Sequence, residues 1–353
     1  MPQRLAINGF GRIGRLAARI WFANHKEEAV LSAINTSGSM DLEGWAHLLK
    51  YDSAYGPFPG VVEFRTHQSK DKVSDSDPLL GHLIIDSDYE IPVLAQRDPG
   101  KIPWATYSTD LVIEATGVFR TEALASTHLH PQGAKQVLLS APAKSGSVET
   151  VLLGVTTDHP QKNVYSVESC TTNCTAPVIS VINENFGISK AFLSTIHAFT
   201  DDQNLQDGSH KDLRRARAAS FNIVPTSTGA ATATTRVIPE LKNKFDGLAF
   251  RVPILTGSLI DATIITKREV TKEEVNSAFE KASTLPKYKG ILSVTNDPIV
   301  SSDTKGRSES ALVDLSLTTV VDGDLLKVYA WYDNEWGFTH RLVEAAIALS
   351  SKR

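Results

Sequence analysis

The chain has 353 residues, 41% hydrophobic and 22% charged, with a formal net charge of −4. That balance belongs to an ordinary globular protein long enough for two cores, and it excludes a disordered, fibrous or disulfide-stapled chain. It gives no global field for nucleic acid or an anionic membrane, so any anion site has to be local, and no apolar run approaches the about 18 residues of a membrane-spanning helix. The start, MPQRLAINGF, enters a strand pattern at once instead of a leader, and two cysteines build no disulfide framework; a cytoplasmic protein with reduced thiols is expected.

Residues 5–7 predict a short strand, 9–14 a glycine turn, 12–24 a helix with Ile13, Leu16, Ala17 and Ile20 on one face, and 29–35 a second strand. Strand, helix and strand in that order make a right-handed βαβ unit of a parallel sheet. Apolar segments at 111–115, 136–140 and 151–154 extend this sheet to about residue 168. Beyond it the pattern changes. Residues 191–200, 248–255, 258–270, 311–321 and 325–333 are long β-rich runs of an antiparallel or mixed sheet, 270–283 is an amphipathic helix capped by Thr271, and 336–353 is a closing helix. The expected fold is α/β: an N-terminal Rossmann dinucleotide-binding domain (1–169 plus 335–353) and a second, α+β catalytic domain on a mixed or antiparallel sheet (170–334).

Gly9-Phe10-Gly11-Arg12-Ile13-Gly14 is G-x-G-x-x-G between a strand and a helix, the context in which glycines let a backbone approach a pyrophosphate at a helix N-terminus. The acid that usually reads the adenosine ribose at the end of the second strand is absent from Ile34-Asn35-Thr36-Ser37. The hydroxyls of Thr36 and Ser37 either donate to a 2′-phosphate, which admits NADP, or cap the helical segment 41–50. SCTTNCTAP, residues 169–177, holds both cysteines. Cys170 lies at a helix start, where amide dipoles favour a thiolate, with Ser169, Thr171 and backbone amides as donors to an oxyanion or phosphate. Cys174, one turn deeper, reads as a small buried hydrophobe. Further ligands for a metal are missing, so no metal is expected. His197, on a strand-like run, is the candidate base for Cys170. Thiol, histidine and dinucleotide site together point to aldehyde oxidation through a thioester. Residues 210–220 (HKDLRRARAAS) and 226–232 (TSTGAAT) are each either solvated loop or phosphate site.

NGFGRIGR, HLLKYDS, SCTTNCTAP, a T-I-H-x-x-T-x-D-Q run, DLRRARAAS, TGAA, RVP and WYDNEWGF follow one another as in the phosphorylating glyceraldehyde-3-phosphate dehydrogenases, and the chain resembles that family throughout. The resemblance implies Cys170 as nucleophile and His197 as base, acting on glyceraldehyde 3-phosphate and inorganic phosphate. It implies Thr200, Asp202 and Arg251, with Arg215 nearby, as the site for the substrate phosphate. Ser169, Thr171, Thr228 and Gly229 become the site for the attacking phosphate. For the cofactor it implies Gly9, Gly11, Arg12, Ile13 and Gly14 at the pyrophosphate, Asn334 at the nicotinamide carboxamide, and Asn35, Thr36, Arg97, Thr116, Gly117 and Ser209 elsewhere. Thr36 replaces the acid of NAD-specific members, and Gly208-Ser209 is similar to a pair found in NADP-using ones, so NADP is expected over NAD. Thr232 and the run Leu255-Thr256-Gly257-Ser258 also depart from the family pattern, the second beside Arg251. A homotetramer is implied, with residues 207–217 reaching a neighbour's cofactor. The nearest rival is erythrose-4-phosphate dehydrogenase, which hydrolyses its thioester; a non-enzymatic nucleotide- or RNA-binding protein is the rival of another class.

Overall fold

The computed structural model describes residues 2–156 and 162–350. The chain divides into two compact units: Met1–Val151 with Asp158–Glu168 and Thr339–Arg353, and Leu152–Thr157 with Ser169–Phe338.

The first unit is built on a nine-stranded sheet in the order Glu149–Thr150, Val164–Ser166, Gln136–Leu139, Leu111–Glu114, Gln3–Asn8, Ala29–Thr36, Tyr89–Ala95, Leu79–Ile85, Val62–Thr66. All pairings up to Tyr89–Ala95 are parallel, and the last two are antiparallel. Leu111–Glu114 and Gln136–Leu139 are buried at every position, as a parallel sheet covered on both faces requires. Asn8 sits in register between Asn35 and Glu114 at the C-terminal ends of three neighbouring strands.

The structure refines one expectation, corrects a second and adds strands that neither covered. The helix expected over 12–24 is α-helical only over Arg12–Ile20 and widens into a π turn at Trp21–His25. There Trp21 and Phe22 are both buried, Trp21 edge-on to Tyr89 and donating to Ala29 O at 2.6 Å, and Phe22 against Phe58. Residues 151–154 are not a strand: Val151 and Leu152 are buried, but the chain turns at once, with Thr156 Oγ1 bonded to both Leu152 backbone groups. The antiparallel strands over residues 62–95 were not anticipated. Pro92 inside Tyr89–Ala95 argues against a strand on sequence grounds, yet it pairs with His82 in the antiparallel ladder.

The second unit carries an eight-stranded mixed sheet, in the order Val224–Ser227, Phe245–Val252, Ile188–Ala198, Ser258–Thr266, Leu325–Tyr332, Ala311–Asp314, Leu292–Thr295, with Thr319–Val321 beside Leu325–Tyr332. Burial alternates strictly along Ser258–Thr266 and Leu325–Tyr332, the mark of a sheet with one core face. Onto that face pack the helix Cys170–Phe186, through Val178 and Ile182, and the helix Lys272–Ser283, through Val275 and Phe279. The expected cap at Thr271 is present as a full capping box with Glu274.

Candidate active site

Sheet register assembles the candidate catalytic corner. Ile188–Ala198 and Phe245–Val252 run parallel with His197 opposite Arg251, which puts the two side chains together on one face. Cys170 begins the helix Cys170–Phe186, whose N-cap Ser169 accepts from the Thr172 amide at 3.1 Å. Cys170 Sγ lies 3.3 Å from His197 Nε2. On the other side of the ring, His197 Nδ1 is 2.7 Å from Ala198 O and 2.9 Å from Arg251 Nη1. Tyr332 stands edge-on to the imidazole and its hydroxyl bonds both Thr171 Oγ1 and Thr195 Oγ1.

Both members of the pair are held toward neutrality. Burial pushes the Cys170 thiol up; the Arg251 cation, the Thr171 hydroxyl and the amides of Cys170 and Thr171 pull it back without prevailing. The helix-start effect anticipated for Cys170 is thus present but smaller than desolvation. Burial and then Arg251 push His197 down to about 3. Cys174 is fully buried, as expected, and burial raises its thiol well above the ordinary value. Both cysteines are free.

The residues assigned to substrate phosphate divide. Arg251 Nη1 reaches Thr200 Oγ1 at 3.3 Å, while its buried Nε has no hydrogen-bond partner. Gln203 contacts Thr200 through backbone and Oε1, and its buried Nε2 is also without a partner. Two buried donors without partners thus flank one threonine. Gln203 was visible only as a letter of a motif. Asp202 and Arg215, by contrast, are committed to each other, and Arg215 further to Thr226 and Asp212; they hold the loop instead of offering open donors. Among the attacking-phosphate candidates, Ser169 is the helix cap just described. Thr228 Oγ1 accepts from the Ala230 amide, and Gly229 is the N-cap of Ala230–Val237, with nothing within 4 Å of a Cβ built on it. The departing run 255–258 serves Asp333 and Asn334: Thr256 donates to Asp333, and Gly257 N–H and Ser258 OH both donate to Asn334 Oδ1. With that oxygen accepting twice, the Asn334 amide nitrogen is the end left to donate elsewhere.

In the first unit, a cavity of about 570 Å³ is lined by Gly9, Gly11, Asn35, Thr36, Arg97 and Thr116 among the anticipated residues, and by Asn8, Phe10, Ser37, Gln96 and Phe119 among others. The glycines in this lining and the uncapped helix start at Gly11 suit a pyrophosphate. The helix Arg12–Ile20 starts from Gly11 with no side-chain cap and no acid in its first turn, leaving its amides to an anion. Gly9 adopts φ +97, and a Cβ there would lie 2.7 Å from Thr116 N; a Cβ on Gly14 would lie 2.0 Å from Gly9 O. Gly14 therefore closes the turn. Arg12 is engaged by Asp52 at 2.7 Å, and Ile13 and Gly117 do not line the cavity. Ser209 belongs to the second unit, on an exposed loop. Thr36 needs correcting: its buried hydroxyl donates to Leu94 O at 3.0 Å, so it has no proton left for a 2′-phosphate. Nor do Thr36 and Ser37 cap the next helix, which starts from Asp41.

Residues 3–122 match the glyceraldehyde 3-phosphate dehydrogenase NAD binding domain, and residues 169–334 match the C-terminal domain of the same family. The chain belongs to the glyceraldehyde-3-phosphate dehydrogenase family. It is 44% identical over 351 residues to the glyceraldehyde-3-phosphate dehydrogenase of Borreliella burgdorferi, covering 98% of each chain. It is 45% identical over 355 residues to glyceraldehyde-3-phosphate dehydrogenase 2 of Streptomyces avermitilis, covering all of both. To the chloroplastic glyceraldehyde-3-phosphate dehydrogenase A of Chlamydomonas reinhardtii it is 44% identical over 352 residues, 99% of this chain and 89% of the relative. As a member of this family it is an oxidoreductase that acts on an aldehyde with a nicotinamide dinucleotide.

Proposed function

We propose that this chain oxidises glyceraldehyde 3-phosphate to an acyl phosphate through a thioester on Cys170, with NADP preferred over NAD. The observation that carries this is the line Cys170 Sγ, His197 Nε2, Arg251, in which a nucleophile and its base adjoin donors left for an anion. The thiol adds to the aldehyde carbon: an S–C bond forms and the thiol proton, taken by His197 Nε2, passes to the former carbonyl oxygen. The bound nicotinamide supplies the acceptor for the hydride that leaves that carbon. His197 takes the hydroxyl proton as the thioester forms. An oxygen of inorganic phosphate then attacks the thioester carbon, the C–S bond breaks, and the sulfur recovers its proton from His197. Arg251, Thr200 and Gln203 hold the substrate phosphate, whose charge offsets the Arg251 cation and so relieves the second-largest of the causes that depress His197, after burial.

The cofactor preference rests on the pocket lining, which carries one cation, Arg97, and no carboxylate; Arg97 donates to Ser37 O, so guanidinium and Ser37 share one edge. We further propose a homo-oligomer, since Leu205, Leu213, Phe221 and Ile223 are all more than two-thirds exposed on one loop. That loop is already fixed by Arg217 and the Ala218 amide bonding Asp207. The test is a steady-state assay with glyceraldehyde 3-phosphate, comparing NAD with NADP and phosphate with none, followed by mass spectrometry of the quenched enzyme. Turnover that requires phosphate or arsenate, a higher specificity constant with NADP and an acylated Cys170 peptide are expected. Phosphate-independent turnover would make the chain a hydrolytic relative.

A further inference from the structure

Glu114 is 2% exposed at the end of its strand, does not line the cofactor cavity, and was assigned no role from sequence. Yet two hydrogen-bond relays converge on it, and the direction of each is set by a group that cannot reverse. In the first, Trp104 Nε1–H donates to His128 Nδ1 at 3.1 Å. An indole nitrogen is only a donor, so His128 carries its proton on Nε2, which donates to Glu114 Oε2 at 3.0 Å. In the second, the Gln96 backbone amide donates to Asn35 Oδ1 at 2.9 Å, which fixes that side chain. Asn35 Nδ2 must then donate, to Gln96 O at 2.8 Å and to Asn8 Oδ1 at 2.7 Å. Asn8 Nδ2 is left to donate to Glu114 Oε2 at 2.5 Å. The 3.4 Å approach of Asn8 Nδ2 to His128 Nε2 is between two donors sharing one carboxylate oxygen. The other oxygen, Oε1, accepts from the amide and the hydroxyl of Thr116.

We propose that Glu114 is a positioning residue of the cofactor pocket: a carboxylate whose acceptor role, imposed from both sides, completes the relays that hold Asn8, Asn35 and Thr116 around the dinucleotide. Every group it orders lines the cavity. A buried carboxyl is tolerated when the donors around it use its lone-pair sites. Reversing any one member sets two donors face to face.

The decisive variants are Glu114→Gln and the double change Glu114→Gln with Trp104→Phe. A glutamine keeps the shape but turns an NH2 either toward Asn8 Nδ2 and His128 Nε2 or toward the Thr116 amide, and none of these donors can reverse. Dissociation constants for NAD and NADP, read by fluorescence titration, rise by about tenfold or more, and KM for the cofactor rises more than kcat falls. Removing the indole N–H lets His128 move its proton to Nδ1 and accept from the new amide, so the double variant binds cofactor more tightly than Glu114→Gln alone. His128→Phe, which fills the space and removes one donor, weakens cofactor binding by a smaller factor and serves if Glu114→Gln does not fold. The proposal is overturned if cofactor dissociation constants in Glu114→Gln or His128→Phe match those of the unaltered protein. It is equally overturned if the double variant binds no better than Glu114→Gln, because packing and not hydrogen-bond direction then accounts for the loss.

Discussion

Around Glu114 every donor has an acceptor, and the chain of orientation runs back to backbone and indole groups that cannot change. Around Cys170 the opposite holds: Arg251 Nε and Gln203 Nε2 are buried and unpartnered, His197 Nδ1 is approached by a carbonyl and a guanidinium at once, and burial opposes charge on both thiol and imidazole. One region has its hydrogen bonds met before any ligand arrives. The other stores unmet electrostatic demand of the kind that the anionic substrate of the proposed function satisfies, and perturbed groups of this sort cluster where bonds are made.

That contrast breaks most directly at the sulfur. Cys170→Ala should lower kcat by about 10⁴-fold or more and abolish the acylated peptide, while cofactor titration stays as in the parent. His197→Asn should cost about 10² to 10⁴ in kcat, again with little change in cofactor affinity; a matching loss of affinity would mean that the two regions are not separable in this way. Ser37→Asp sharpens the pocket side, since a carboxylate beside Arg97 should cut the NADP-to-NAD ratio of specificity constants by about a hundredfold and leave kcat with NAD near the parent value. Arg251→Met removes a cation that lowers the Cys170 thiol, so its alkylation by iodoacetamide should move to higher pH by on the order of one unit; movement to lower pH would reverse the sign assigned to Arg251. Smallest is Thr271→Ala, far from either site, which should cost about 1 kcal/mol of stability in denaturant with kinetics intact.

Much of this was legible in the sequence because it was written in local patterns. G-x-G-x-x-G between strand and helix announced the dinucleotide turn, and Ser169-Cys170 before a helical run announced the nucleophile's place. The thiol's electrostatics were not legible: a helix start argues for acidity, and only the packed structure shows burial outweighing it. Thr36 shows the same limit, since a hydroxyl in sequence does not reveal that Leu94 O already takes its proton. Gln203 and Glu114 act through partners remote in sequence, Glu114 through His128 and Asn8, and no spacing rule joins those positions. The strands over 62–95 were missed because Pro92 speaks against one locally while the neighbouring ladders impose it.

His197 and Arg251 face each other as rungs of adjacent parallel strands, so their alignment is a property of the ladder itself. Loops can open or shut above them without parting them, whereas a slip of a single rung would send one side chain through to the opposite face. The enzyme can therefore accept wide drift in its outer segments, but substitutions along these two strands are constrained to keep the count of residues between them fixed.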